Sequence, residues 1–153
     1  GHEAIKPYFS GFYKDNILDK QALSKHVFNN ADALDQLEKI IHPLVLDEVF
    51  DQVAKCKDQD FVFVEVPLLF EVQWQDYFDL VLLITIDQDI LYQRLAVDRN
   101  MLKAKVDERL MRQLPQKLKM ELADYIIENN WSMKDLRKRI DEFLIWLNQQ
   151  IKE

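Results

Sequence analysis

Phe61-Val62-Phe63-Val64-Glu65-Val66-Pro67-Leu68-Leu69-Phe70-Glu71 is the stretch that decides how this chain folds. Its first part is an almost unbroken apolar run, rich in β-branched and aromatic residues, that ends at a proline. Such a run predicts a strand covered on both faces, as in a parallel sheet. Two later runs, Leu80 to Ile86 and Tyr125 to Ile127, have the same character. Helical patterns lie between and after them. Asp87 stands where it can cap a helix whose Ile90, Leu91 and Leu95 share a face, and Ser132 and Asp135 stand at capping-box spacing, with Asp in place of the usual Glu or Gln. A stripe of Met133, Leu136, Ile140, Phe143, Leu144, Leu147 and Ile151 follows. Strands that alternate with helices predict an α/β fold with right-handed crossovers.

Upstream of the deciding stretch the first sixty residues carry helix signals and no convincing strand. Leu34, Leu37 and Ile41 keep helical spacing, and Pro43 suits the first turn of a new helix bearing Leu46, Val49, Phe50 and Val53. Residues 1–58 therefore read as a helical subdomain, and 59–153 as the sheet-bearing remainder. With 153 residues, 48% of them apolar, the chain has material for one core of ordinary size.

Charge is unevenly spread. The chain carries −7 overall, which argues against non-specific binding to nucleic acid or anionic lipid. Yet between Arg94 and Lys119 eight basic residues face only three acidic ones. That window splits into two short helical stretches around Asn100 and would project between the second and third strands, where a mobile lid can sit. No apolar run is long enough to cross a membrane, because Glu65 and Glu71 interrupt the longest. The first thirty residues lack the basic-then-apolar order of a secretion signal, so a cytosolic protein is expected. Cys56 is the single cysteine; it closes no disulfide within the chain and builds no zinc site by itself.

Pro67-Leu68-Leu69-Phe70-Glu71 behind a strand ending in Val64-Glu65-Val66 resembles the dephospho-coenzyme A kinase family. Further agreement runs in order: Asp19 and Leu23, Val27-Phe28, Leu37-Glu38 with Ile40, His42-Pro43, Arg94-Leu95 with Arg99, Arg109 with Gln113, and Ala123-Asp124-Tyr125-Ile126-Ile127 closing at Asn129. The resemblance extends from Gly1 to about Leu147. It implies a P-loop kinase fold: part of a P-loop-type parallel sheet with a helical substrate-binding subdomain and a helical lid at about 94–119. It also implies transfer of the γ-phosphoryl group of ATP, with Mg2+, to the 3′-hydroxyl of dephospho-coenzyme A.

Phosphoryl transfer needs alignment of two substrates and neutralisation of charge on the migrating group. Arg94, Arg99 and Arg109 match lid positions, and a guanidinium grips phosphate oxygens with a directional fork. The plainer reading is a solvated helix face with Arg94 and Asp98 paired at i, i+4. Glu65, where relatives tend to carry Asp, is the candidate for a water-mediated magnesium contact, or is an acid satisfied by backbone donors. His42, Pro67, Leu68, Phe70 and Glu71 are the candidates for the acceptor side. Asn129 and Gln113 are the candidates for the nucleotide side, with a turn-forming role as the alternative for Asn129. Lys20 and Asn100 depart from the family's usual Arg and Asp.

The family's Walker A loop has no counterpart here, since the only glycines are Gly1 and Gly11 and no Gly-Lys pair occurs. The expectation is that a βα unit carrying that loop precedes Gly1. A noncatalytic relative that reuses the scaffold, and a different small-substrate kinase such as a nucleoside monophosphate kinase, are the alternatives. An incomplete sheet would expose apolar surface and unpaired backbone groups, so self-association of the isolated chain is expected. Size-exclusion chromatography with light scattering tests this: a dimer or larger species is predicted, and a clean monomer contradicts it.

Overall fold

The computed structural model describes residues 2–150. They divide into two compact units, the first ending at Glu65 and the second beginning at Val66.

The first unit opens with α1 (His2–Ile5), a 3-10 turn (Ser10–Phe12) and a hairpin of two short antiparallel strands, β1 (Tyr13–Lys14) and β2 (Ile17–Leu18). The hairpin corrects the expectation of a purely helical start. Its turn residues Asp15 and Asn16 both adopt positive φ, 50° and 65°, the conformation that a two-residue hairpin requires and that Asp and Asn tolerate. Two helices follow, α2 (Lys20–Phe28) and α3 (Ala31–Ala54). Asp19 Oδ1 accepts the Ala22 N–H at 2.9 Å, and Asn30 Oδ1 accepts the Ala33 N–H at 3.1 Å, so each helix starts on a side-chain cap. Ile5, Phe9, Leu23, Val27 and Ala33 form the core, with Phe12, Leu18, Leu37, Ile40 and Ile41 packed against it.

Pro43 does not start a new helix; it lies inside α3, which runs through it. The proline removes the hydrogen bond to the carbonyl of Lys39. The helix nevertheless continues without interruption to Ala54.

The 61–66 run forms no strand. Among the described residues the parallel sheet contains only two strands and takes in no third segment. Apolar composition sets the tendency to extend, but a strand also needs a partner to receive its backbone groups. Val62 and Phe63 are 40% and 63% exposed, the opposite of the double coverage expected.

The second unit is built on β3 (Leu82–Thr85) and β4 (Tyr125–Glu128), paired in parallel from Leu82 opposite Tyr125 to Thr85 opposite Glu128. Between them the chain makes α4 (Gln88–Arg99), α5 (Lys103–Leu110) and α6 (Gln116–Leu122); α7 (Met133–Gln150) follows. Asp124 locks the start of the sheet: its Oδ2 accepts the Val81 N–H at 2.7 Å, while the Val81 carbonyl accepts from the N–H groups of Asp124 and Tyr125. Asn100 ends α4 in the left-handed conformation, φ 48°, and so produces the expected break in the basic window. Ser132 and Asp135 form the predicted capping box, each side chain accepting the other residue's backbone N–H, at 3.2 and 3.3 Å.

Buried Ile127 and the Tyr125 ring share one face of β4. The Tyr125 ring packs on Phe143 and Trp146 of α7, with ring centroids 5.0 and 4.8 Å apart. Phe143 and Leu147 of the predicted stripe are buried, and Ile151 lies outside the described residues. Ile84, opposite Ile127 in the parallel register, stands on the same face of the sheet and is 51% exposed. Ile127, at 1% exposure, is the best-buried of these side chains. Ile127→Ala should lower the unfolding free energy by about 2–5 kcal/mol, measured by urea denaturation. A loss below about 1 kcal/mol would mean that the second unit does not depend on this contact.

Candidate functional site

In parallel α/β sheets, ligands gather beyond the carboxyl ends of the strands, where helix starts and loop backbone converge. In the second unit that position holds a cavity of about 340 Å³ lined by Ile84, Thr85, Leu91, Arg94, Asp98, Arg99 and Asn129, with Ile86 and Leu95 completing the wall. Three of the residues singled out from sequence, Arg94, Arg99 and Asn129, therefore meet in one place.

Arg94 is half-buried and doubly engaged. Its Nη1 donates to the Asn129 carbonyl and its Nη2 to the Trp131 carbonyl, both at 2.8 Å. Among the described residues no ion pair joins Arg94 to Asp98, so the i, i+4 pairing is not formed. The fork instead bridges two carbonyls of the turn between β4 and α7. Asn129 is fixed from both sides, since its own N–H donates to the Thr85 carbonyl at 2.7 Å. Asn130 acts on α4 instead, where its Oδ1 accepts the Asp87 N–H at 2.7 Å and ties the start of that helix to the same turn. Arg99 is exposed on the cavity wall. Arg109 is exposed on α5. The α4 and α5 helices are clasped by Tyr92, whose hydroxyl donates to Asp107, while the Lys103 ammonium sits 4.8 Å from the centre of the Tyr92 ring.

The Pro67 to Trp74 segment is a series of turns closed by bonds from Val72 N–H to the Leu68 carbonyl and from Trp74 N–H to the Leu69 carbonyl. Pro67 and Leu68 are exposed, whereas Phe70 is buried. Glu71 Oε1 accepts the Leu114 N–H at 2.9 Å and the Lys119 ammonium at 2.6 Å. Burial pushes the Glu71 carboxyl up, but Lys119 and the N–H groups of Glu71 and Leu114 outweigh it and hold the group below its ordinary value. The carboxylate's contribution to stability is thus complete above the usual carboxylate range and is lost as pH falls through its lowered value. Gln113 joins the same cluster, with its Oε1 accepting from Lys119 at 3.2 Å.

In the first unit, His42 is half-buried in α3 and Glu65 is exposed at the end of the unit. Sequence reading missed Lys119, Asn130 and Asp124 as organising side chains. Asp124 lay within a recognised motif; Lys119 showed only as one more charge in a basic window.

A sequence profile for dephospho-CoA kinase matches residues 3–135. The chain belongs to the dephospho-CoA kinase family. A dephospho-CoA kinase of Chlamydia abortus is 36% identical over 132 residues, covering 84% of this chain and 65% of that protein. One from Brucella abortus is 30% identical, with 94% of this chain and 73% of that protein aligned. Among solved structures, a Thermus thermophilus protein superposes with a TM-score of 0.81 at 28% identity, covering 95% of this chain and 75% of its own. The dephospho-CoA kinase of Campylobacter jejuni gives 0.66 at 25% identity, with coverage of 95% and 76%. The chain thus spans just under two thirds of the Chlamydia abortus enzyme. These likenesses agree with the P-loop kinase fold expected from the sequence.

The two bonds from Arg94 have a measurable weight. Arg94→Met leaves both carbonyls without that donor and should destabilise the second unit by about 1.5–3 kcal/mol in thermal or chemical denaturation. An unchanged midpoint would show that the fork does not hold the turn.

Proposed function

We propose that the protein containing this chain transfers the γ-phosphoryl group of ATP to the 3′-hydroxyl of dephospho-coenzyme A, the last step of coenzyme A biosynthesis, in the cytoplasm. Family membership gives the reaction class, and the observation that carries the reading to this chain is the meeting of Arg94, Arg99 and Asn129 around one cavity beyond β3 and β4. In the transfer, the bond from the γ-phosphorus to its bridging oxygen breaks, the bond to the acceptor oxygen forms, the acceptor hydroxyl gives up its proton to solvent, and ADP leaves. Charge on the migrating group must be met by fixed cations.

Arg99 and Arg109 are suited to that role as exposed guanidinium groups on a lid spanning about 94–119. Arg94, the third member of the proposed clamp, stands at the base of that lid, where its fork orders the Asn129 to Trp131 turn. Asn129 and Gln113 are proposed for the nucleotide side. Pro67 and Leu68 are proposed as acceptor contacts on the second unit, with Phe70 and Glu71 supporting their loop. His42 is the proposed acceptor contact on the first unit, within a helical acceptor-binding region at 1–58.

Magnesium bound with a nucleotide is held by one or two carboxylates, the phosphates and water. Among the described residues no group of three or more His, Cys, Asp or Glu could hold a metal by itself. Glu65, an exposed carboxylate, is proposed for a contact through water to an ion held mainly by phosphates. The ion would supply charge neutralisation at the phosphates. Among the described residues no helix is long and apolar enough to cross a membrane.

Incubating the gene product that contains this sequence with Mg-ATP and either dephospho-coenzyme A or AMP tests the reading. Phosphate is expected on dephospho-coenzyme A, and the double variant Arg99→Met/Arg109→Met should lower kcat by about a hundredfold or more. Transfer to AMP instead would favour a nucleoside monophosphate kinase, and binding without transfer would favour a noncatalytic scaffold.

A further inference from the structure

Lys119 is the one lysine of the basic window whose charge is turned inward. Its side chain is 12% exposed and its partner Glu71 14%, whereas the ion pairs Lys39–Asp35, Arg112–Glu108 and Lys138–Glu142 lie on side chains 44% to 78% exposed. A surface pair adds little to a fold, but a shielded pair with further hydrogen bonds fixes geometry. The Lys119 ammonium, on α6, reaches Glu71 Oε1 at 2.6 Å and Gln113 Oε1 at 3.2 Å. The same Glu71 oxygen takes the Leu114 N–H at 2.9 Å. Leu114 precedes α6 at Pro115, the point where the α4–α6 excursion turns back toward β4.

We propose that Lys119 is a positioning residue for phosphoryl transfer: through Glu71 and Gln113 it fixes the returning foot of the α4–α6 excursion on the Pro67 to Trp74 loop. The inference rests on the kinase reading above. Its physical content is that one shielded ammonium joins a loop proposed to face the acceptor to a segment proposed to close over the nucleotide. Without it, Glu71 keeps a carboxylate largely shielded from water and facing only the N–H groups of Glu71 and Leu114, and Gln113 loses the donor that holds its side chain. The loop and the foot then move independently, and the two substrates are aligned less often. Neither substrate need lose its own contacts. The expected signature is therefore a fall in kcat with little change in KM.

Two measurements decide it. The first is amide hydrogen exchange of the 153-residue chain. In Lys119→Met, exchange at Leu114 should quicken by about tenfold or more while the β3–β4 amides keep their protection, and Lys119→Arg should retain most of the wild-type protection. The second is steady-state kinetics of the gene product that contains this sequence. There Lys119→Met should lower kcat by about tenfold or more with KM for dephospho-coenzyme A within about threefold, and Lys119→Arg should restore much of kcat. Unchanged exchange at Leu114 overturns the proposal. So does an unchanged kcat, or a loss that follows a fall in melting temperature and is not relieved by Lys119→Arg. A wild-type protein that phosphorylates no dephospho-coenzyme A refutes the kinase reading and with it the positioning role, whereas quickened exchange at Leu114 would still establish the anchor as a contact.

Discussion

Parallel pairing of Leu82–Thr85 with Tyr125–Glu128 is the constraint on which the second unit depends. Parallel strands cannot be joined by a tight turn, so the chain between them must leave the sheet and return. In this protein the detour is α4, α5 and α6, and its path determines where the arginines stand. Side chains close both ends of the short ladder. Asp124 binds the Val81 N–H where the strands begin, and Arg94 grips the Asn129 and Trp131 carbonyls just beyond where β4 ends. A guanidinium suits the far end because its planar fork reaches two acceptors at once, which an ammonium on a flexible stem does less well.

This arrangement gives the site its character. Backbone carbonyls at a strand end carry partial negative charge, and Arg94 answers it there. Arg99 lines the same cavity, and Arg109 is exposed on α5. At the returning end of the detour, Lys119 forms with Glu71 a pair that is shielded where the arginines are exposed. In the proposed kinase reading, a lid over 94–119 would need both a fixed base and cations that can reach phosphate.

Much of this was legible in the residues, for physical reasons. The runs at 80–86 and 125–127 are apolar without alternation, and both became paired strands. Asn100 broke the basic window because an Asn accepts the left-handed conformation, and Ser132 and Asp135 capped α7 despite the shorter acid. Other features depend on partners that spacing cannot reveal. The 61–66 run has strand composition but lacks a ladder neighbour among the described residues, and Pro43 lies within a helix that runs through it. The Asp15-Asn16 hairpin escaped notice because two-residue strands are too short to show a period of two. Glu71 and Leu114 are 43 residues apart, so their contact, and the role of Lys119 beside it, became visible only in three dimensions.

The most direct test of this account is a titration of the gene product that contains this sequence with Mg-ATP, followed residue by residue through backbone amide NMR shifts. Among residues 2–150, the account predicts that the largest changes fall on Thr85, Arg94, Arg99 and Asn129, around the cavity beyond β3 and β4. Changes confined to other surfaces, such as the α7 face where Arg139 stacks on Trp131, would contradict it, as would a nucleotide that leaves the cavity residues undisturbed at saturation.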